Sequence, residues 1–317
     1  MPSRESQWPA LPLEAWQDTR ETLQRWAQIV GKIRLSLTPW IDHSSHAPLY
    51  VTACGLTTSP IPYGTRTFEI EFDLLAHELL IRTSSGERRA LPLRAQTVSE
   101  FYRTLLRELE TLDLYIHIDT HPGEVAHPIA FDQDTTHKSY DPAYAQRFFQ
   151  LLAQADRLLQ AFRARFAGKS SPVHFFGGSF ELAVTRFSGR PAPRHPGGLA
   201  HLPDRAGREA GAEEVCSAGF RPGGGAHPFP LFYSYAYPEP RGFSAAPVQP
   251  QGAFYSRELE EFILPYDCVR ASADPDATLL SFLQSCYEAA ARLGRWDSEL
   301  DYRLRPPPRE STAWHTR

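Results

Sequence analysis

Two stretches of the chain follow one plan. Each has an apolar helical pattern leading into a β-rich run that opens on histidine and closes on threonine. The first run is His46-Ala-Pro-Leu-Tyr-Val-Thr-Ala-Cys-Gly-Leu-Thr57, and the second is His174-Phe-Phe-Gly-Gly-Ser-Phe-Glu-Leu-Ala-Val-Thr185. One constant offset of 128 residues relates them. A chain that repeats so long an element is constrained to build two copies of one supersecondary unit. Two equivalent histidines would then face each other about a local twofold axis. The competing explanation is coincidence, because only the His and the Thr are identical across the aligned runs.

The spacing of apolar residues extends the parallel. Residues 1–17 read as a lead-in. Asp18 is placed to cap a helix, with Glu21 at the third position. Leu23, Trp26, Ala27, Val30, Ile33 and Leu37 then recur on one helical face, and Pro39 ends it. Phe68, Ile70 and Phe72 alternate with acids as in a half-exposed strand, with Leu79 to Arg82 as its hairpin partner. A second helix carries Val98, Phe101, Leu105 and Leu109, and Leu114 to Ile118 reads as a last short strand. In the second half, Asp141-Pro142 starts a helix striped by Phe148, Leu151, Ala155, Leu158 and Phe162, which Gly168 ends. The His174 run, Phe232 to Tyr237 and Leu259 to Leu264 read as strands, and Asp276 to Leu293 as a helix. The expected fold is α/β (α+β): two related helix-strand-strand-strand-helix halves with mixed or antiparallel sheets. The halves cover 18–120 and 141–302, joined by a connecting segment at 121–140. Pro/Gly-rich insertions fall at 188–230 and 238–253, and 303–317 reads as a disordered tail.

Bulk properties exclude several classes. The net charge of −4 offers no basic stripe for nucleic acid and no attraction to an anionic membrane. No apolar run is long enough to span a bilayer, and the first residues lack the apolar core of a signal peptide. Cys54, Cys216, Cys268 and Cys286 form no CxxC pair and fit reduced thiols, so a cytoplasmic protein is expected. Oligomeric state is not legible.

Candidate chemistry gathers at the strand mouths and in the connecting segment. His46 and His174 stand where rigid scaffolds hold functional loops, and neutral imidazole serves as ligand or base. Asp134 and His137, three residues apart, can be aimed at one point. With His46 and His174 they would make a mixed His/carboxylate set suited to a divalent metal such as Zn, Fe or Mn. Glu181 adds a carboxylate to the second strand, beside the small residues Ala183 and Thr185. That face suits either a ligand or tight packing. Arg186 and Arg190 flank a turn and suit an anionic ligand, or Arg186 pairs with Glu181 or Asp134 to fix the loop. Tyr235, within the Tyr233–Tyr237 run, would line a pocket or lie in the core. Three motifs stop short. His77-Glu78 lacks the second histidine of the HExxH signature, which Ile81 replaces. Gly177-Gly-Ser-Phe-Glu181 lacks the last glycine of a nucleophile elbow. Phe220-Arg-Pro-Gly-Gly-Gly-Ala226 holds an anion-cradle pattern with Arg221, but reads first as a flexible surface loop.

Joined together, His46 to Gly64, Asp134-Thr-Thr-His-Lys-Ser-Tyr-Asp-Pro142, Ser171 to Phe176 with Leu182 to Arg190, and Phe232-Tyr-Ser-Tyr-Ala-Tyr-Pro-Glu-Pro240 resemble an uncharacterised bacterial family, DUF5996. The resemblance runs from about Trp8 to Trp296. It implies tryptophan where this chain has Gly177 and Arg221, and so an altered pocket. It carries no activity. Two functional expectations stand. One is a small-molecule enzyme with a site between the halves, in which His46, His174 and Glu181 act chemically and Arg186, Arg190 and Tyr235 hold the ligand. The other is a non-catalytic ligand-binding or scaffolding protein in which these residues form a structural polar network.

Overall fold

The computed structural model describes residues 7–41, 45–193, 212–225 and 227–301. Among these, five α-helices accompany two antiparallel sheets of six strands each. Helix α1 (Leu13–Leu37) precedes β1 (Tyr50–Val51), β2 (Gly55–Thr57), β3 (Ile61–Tyr63), β4 (Arg66–Asp73), β5 (Glu78–Thr83) and β6 (Arg88–Pro92), and α2 (Val98–Glu110) follows. Helix α3 (Pro142–Arg163) opens the second half. Strands β7 (His174–Phe176), β8 (Glu181–Pro191), β9 (Glu213–Arg221), β10 (Leu231–Tyr237), β11 (Phe254–Ser256) and β12 (Glu261–Pro265) come next, then α4 (Tyr266–Ala271) and α5 (Pro275–Leu293). The strand orders are β1-β2-β4-β5-β6, with β3 on β4, and β11-β12-β10-β9-β8-β7. Edge strands of the two sheets meet where Leu49 and Phe175 exchange both main-chain hydrogen bonds, at 2.8 and 2.7 Å.

Each half is therefore helix, antiparallel sheet, helix, with more strands than the three read from the sequence. Both His-to-Thr runs are hairpins rather than single strands: β1 turns into β2, and β7 into β8. Gly55 is required there, because a Cβ would stand 1.8 Å from the Phe72 carbonyl oxygen. The 188–230 insertion holds β9, which pairs with both β8 and β10. Residues 194–211 of that insertion, and the 303–317 tail, lie outside the described residues. Leu114 to Ile118 form no strand, although Leu114 and Ile116 are buried.

Local chemistry accounts for several helix starts. Asp141 accepts from the Ala143 and Tyr144 amides at the start of α3, as its Asp-Pro pattern predicts. Thr97 and Glu100 form a capping box on α2. Helix α1 departs from expectation. It starts at Leu13 after Pro12 with no side-chain cap, so Asp18 lies inside it. Helix α3 ends at Arg163, before the expected stop at Gly168.

Among the described residues one large apolar core runs through both halves, and Leu231, Tyr233 and Ile263 form a small separate cluster. Strand β4 turns Phe68, Ile70 and Phe72 inward opposite Ile81 and Leu79 of β5. Trp26 of α1, fully buried, stacks on Phe101 of α2 at 4.7 Å. Such a tryptophan contributes about 3–5 kcal/mol relative to alanine. The lead-in joins this core, since Trp8 lies 6.2 Å from Tyr266 and the Tyr266 hydroxyl donates to the Pro9 carbonyl at 2.7 Å. None of the described helices is long and apolar enough to cross a membrane.

Candidate functional site

The structure distributes the candidate residues over several places. His46 is buried at the entry to β1, with Nδ1 3.2 Å from the Ile41 main chain and its ring 4.4 Å from Trp40. His174 is 3 % exposed at the β7 edge, against Phe176, and its Nδ1 has no hydrogen-bond partner among the described residues. Burial, and then the nearby Arg34 charge, push its pKa down to about 4, so it is neutral at neutral pH. His137 is held elsewhere. Its Nδ1 lies 2.7 Å from Asp134, whose other oxygen accepts the Thr136 and His137 amides. Arg25 faces the same carboxylate at 3.4 Å. Asp134 and His137 thus pin the connecting segment to α1. Among the described residues no group of three or more His, Cys, Asp or Glu side chains is arranged to hold a metal ion.

The arginines have distinct settings. Arg186 is fully buried, with its guanidinium 3.5 Å from the centre of the Phe162 ring and 4.2 Å from that of Tyr287, and it donates to the Phe162 carbonyl. It is not placed on the surface as an anion clamp, and its partner is neither Glu181 nor Asp134 in the bonds described. Arg190 grips Glu214 through Nε and Nη2 at 3.0 and 2.6 Å and donates to the Gly294 and Arg295 carbonyls just past α5. Glu214 lines a cleft of about 210 Å³ with Tyr237, Glu239 and Trp296. Tyr235 stacks on Tyr233 at 6.3 Å, the two standing opposite Ser217 and Gly219 of β9. Burial, with the Glu181 charge, raises the Tyr235 pKa.

Glu181 leads to a charged cluster that helical periodicity hides. Arg221 of β9 bridges two carboxylates: Nε donates to Glu181 at 2.7 Å, and Nη1 donates to the buried Glu261 of β12. Its guanidinium lies 3.8 Å from the centre of the Tyr233 ring. Beside Glu181 stands Glu124 of the connecting segment, at φ 54° in the left-handed region. Strained backbone of this kind is retained only where the surroundings impose it. Burial, then the Glu181 charge, push the Glu124 carboxyl up to about 7. Gly178 in the β7–β8 turn makes room for it, because a Cβ there would meet the Glu124 carboxylate oxygen at 2.0 Å.

Helix α1 positions both segments through its polar face. Gln28 exchanges hydrogen bonds with the Gly123 main chain at 3.0 and 2.8 Å, and Gln24 donates to the Gly178 carbonyl at 2.6 Å. One turn further on is Arg20, against which the glycine loop packs. Pro222 and Gly223 are buried, and Gly224 and His227 exchange main-chain bonds. The loop is therefore built into the site rather than a free surface loop. His227 Nδ1 has no hydrogen-bond partner among the described residues. Burial, then the Arg221 charge, push the His227 pKa down to about 4.

The cluster thus combines a carboxyl that titrates near neutrality, an ion-paired carboxylate pair, a neutral imidazole and a buried cation. Such a set can move a proton on a bound molecule. The sequence reading had Glu181 and singled out Arg221, but missed Arg20, Glu124 and Glu261. For Arg20 the one sequence signal is its 20, 24, 28 spacing with Gln24 and Gln28 on α1; Glu124 and Glu261 carry none. Gly177, where the resemblance implies tryptophan, packs on α1, since a Cβ would lie 3.0 Å from the Ala27 main chain.

The family described as a family of unknown function (DUF5996) matches residues 8–302, so the chain belongs to it. Comparison with curated proteins and with solved structures returned no match.

Proposed function

We propose that this DUF5996 member is a small-molecule enzyme whose proton-transfer group is Glu124, working beside Glu181 where the connecting segment meets α1 and the second sheet. The observation that carries this reading is the convergence of Glu124, Glu181, Arg221, Glu261 and His227 from five separate segments onto one partly enclosed spot. A carboxyl near 7 can both donate and accept a proton at neutral pH, and Glu181 beside it is bound by Arg221. Free cysteines support the cytoplasmic expectation. The Leu49–Phe175 bridge supports a twofold relation between the halves, because continuing its antiparallel register sets Pro48 opposite Phe176, positions that the 128-residue offset makes equivalent.

A second reading has one observation in its favour. Glu181, Arg221 and Glu261 satisfy one another, as a structural strut would. The variant Glu124→Gln separates the two. Wild-type and variant protein are incubated with a cell metabolite extract, and depletion is followed by mass spectrometry. The enzyme reading expects a compound consumed by the wild type and consumed about 10²-fold or more slowly by the variant, at unchanged melting temperature. Consumption by neither leaves the binding or scaffolding reading, and equal consumption by both removes Glu124 from the chemistry.

A further inference from the structure

We propose that Arg20 is the anion-binding residue of this site, so that its ligand carries a carboxylate or phosphate group. The inference rests on the reading of the Glu124 cluster as a ligand site and adds the ligand's charge. Arg20 is only 7 % exposed. Its Nη1 donates to the neutral Gln24 amide at 3.3 Å, and its guanidinium lies 5.5 Å from the centre of the Phe180 ring. Its Nε has no hydrogen-bond partner, and no acidic side chain forms a salt bridge with it, among the described residues.

The other enclosed arginines are held more closely. Arg25 faces Asp134, and Arg221 bridges two glutamates. Arg34 and Arg186 each donate to a main-chain carbonyl and lie over aromatic rings. Arg20 alone in this group has one long bond to a neutral side chain. A guanidinium taken out of water without a counter-charge destabilises a fold. Burial accordingly pushes its pKa down to about 10, with Glu21 only partly opposing.

The surroundings are shaped around that cation. Gly224 sits at φ 100°, and a Cβ there would stand 2.3 Å from the Arg20 Cζ. Any side chain at 224 would displace the guanidinium. His227, on the same loop, presents its unbonded Nδ1 and feels the Arg20 charge. A planar guanidinium binds carboxylate or phosphate through paired hydrogen bonds, and a neutral imidazole acceptor suits a protonated oxygen on the same group. Glu181 and Glu261 already neutralise Arg221, which leaves Arg20 to meet an incoming negative charge.

Calorimetry and thermal shift with inorganic phosphate, with succinate and with sodium chloride at matched ionic strength test the assignment. Phosphate or succinate should bind saturably to the wild type and chloride should not. Arg20→Gln should weaken that binding at least tenfold, and Arg20→Lys should fall between. A response to phosphate alone assigns a phosphoryl ligand, and a response to succinate alone a carboxylate. Arg20→Met, without ligand, should melt no lower than the wild type, because a functional buried cation is held against stability. No saturable anion binding, binding unchanged in Arg20→Gln, or a marked drop in the melting temperature of Arg20→Met would each overturn the proposal. Glu124→Gln should still bind the anion saturably. If it does so yet also keeps full turnover, the Glu124 role fails while the Arg20 site stands.

Discussion

Replacing His174 by glutamine removes a titrating group from the junction of the sheets, and the structure sets the size and sign of the consequence. An unfolded imidazole titrates near 6.5, whereas His174 in the fold is held at about 4 by burial and by Arg34. Between those values the unfolded chain carries a proton that the folded chain does not. Stability is therefore fully present above about pH 6.5, falls through the window as pH drops, and levels off below about 4. At roughly 1.4 kcal/mol for each unit of separation, the whole effect is about 3 kcal/mol. With His174 only 3 % exposed, solvent screening does little to reduce it. That is a large part of the 5–15 kcal/mol by which domains are stable. Glu124 acts in the opposite sense. Its raised value means stability is lost as pH climbs from the ordinary carboxylate range to about 7. The wild-type profile alone is a difference of the two, so the measurement must compare proteins. Urea unfolding of wild type and His174→Gln is followed at several pH values from 7.5 to 4.5. Any packing loss in the variant is a constant offset. The gap between the curves should shift in favour of the variant by about 2–3 kcal/mol as pH falls. Parallel curves across that range would refute the argument that His174 is buried neutral.

Two further substitutions probe the surrounding structure. Arg221→Ala strips the shared counter-charge from Glu181 and the buried Glu261 and should cost about 3–5 kcal/mol in chemical unfolding; a loss under about 1 kcal/mol would show that the bridge is solvated. Gly55→Ala puts a methyl group 1.8 Å from the Phe72 carbonyl oxygen and should lower stability by about 2 kcal/mol or more through strain between β2 and β4, whereas Gly31→Ala, whose methyl group meets nothing nearer than the Ala47 carbonyl oxygen at 3.9 Å, should not; equal effects would show that the β2–β4 contact relaxes freely.

Signals within a few residues of one another were legible without coordinates. Asp141-Pro142 started a helix because a capping oxygen and a pre-set φ act locally. Phe68, Ile70 and Phe72 declared a strand because period-two alternation survives when one face is solvated. The order helix, strands, helix was visible twice for the same reason, and so was the antiparallel or mixed character of the sheets. Strand β9 escaped because most of it is buried on both faces, so its sequence does not alternate, and the two- and three-residue strands are too short for any period to register.

The site is a different matter. Glu181 and Arg221 could be noticed as residues, but not as partners, because their pairing depends on the β8–β9 register across an insertion. Arg20, Gln24 and Gln28, spaced by four, form a stripe that reads as the wet side of an amphipathic helix. Local chemistry cannot say otherwise. They are enclosed because the connecting segment, the β7–β8 turn and the glycine loop all dock on that stripe. Burial turns those side chains from solvated surface into positioning bonds and an unneutralised cation, and it moves the Glu124 carboxyl toward neutrality. The sequence alone determined which segments would be helix and strand and which carried charge. Only tertiary packing decided which charges lost their water.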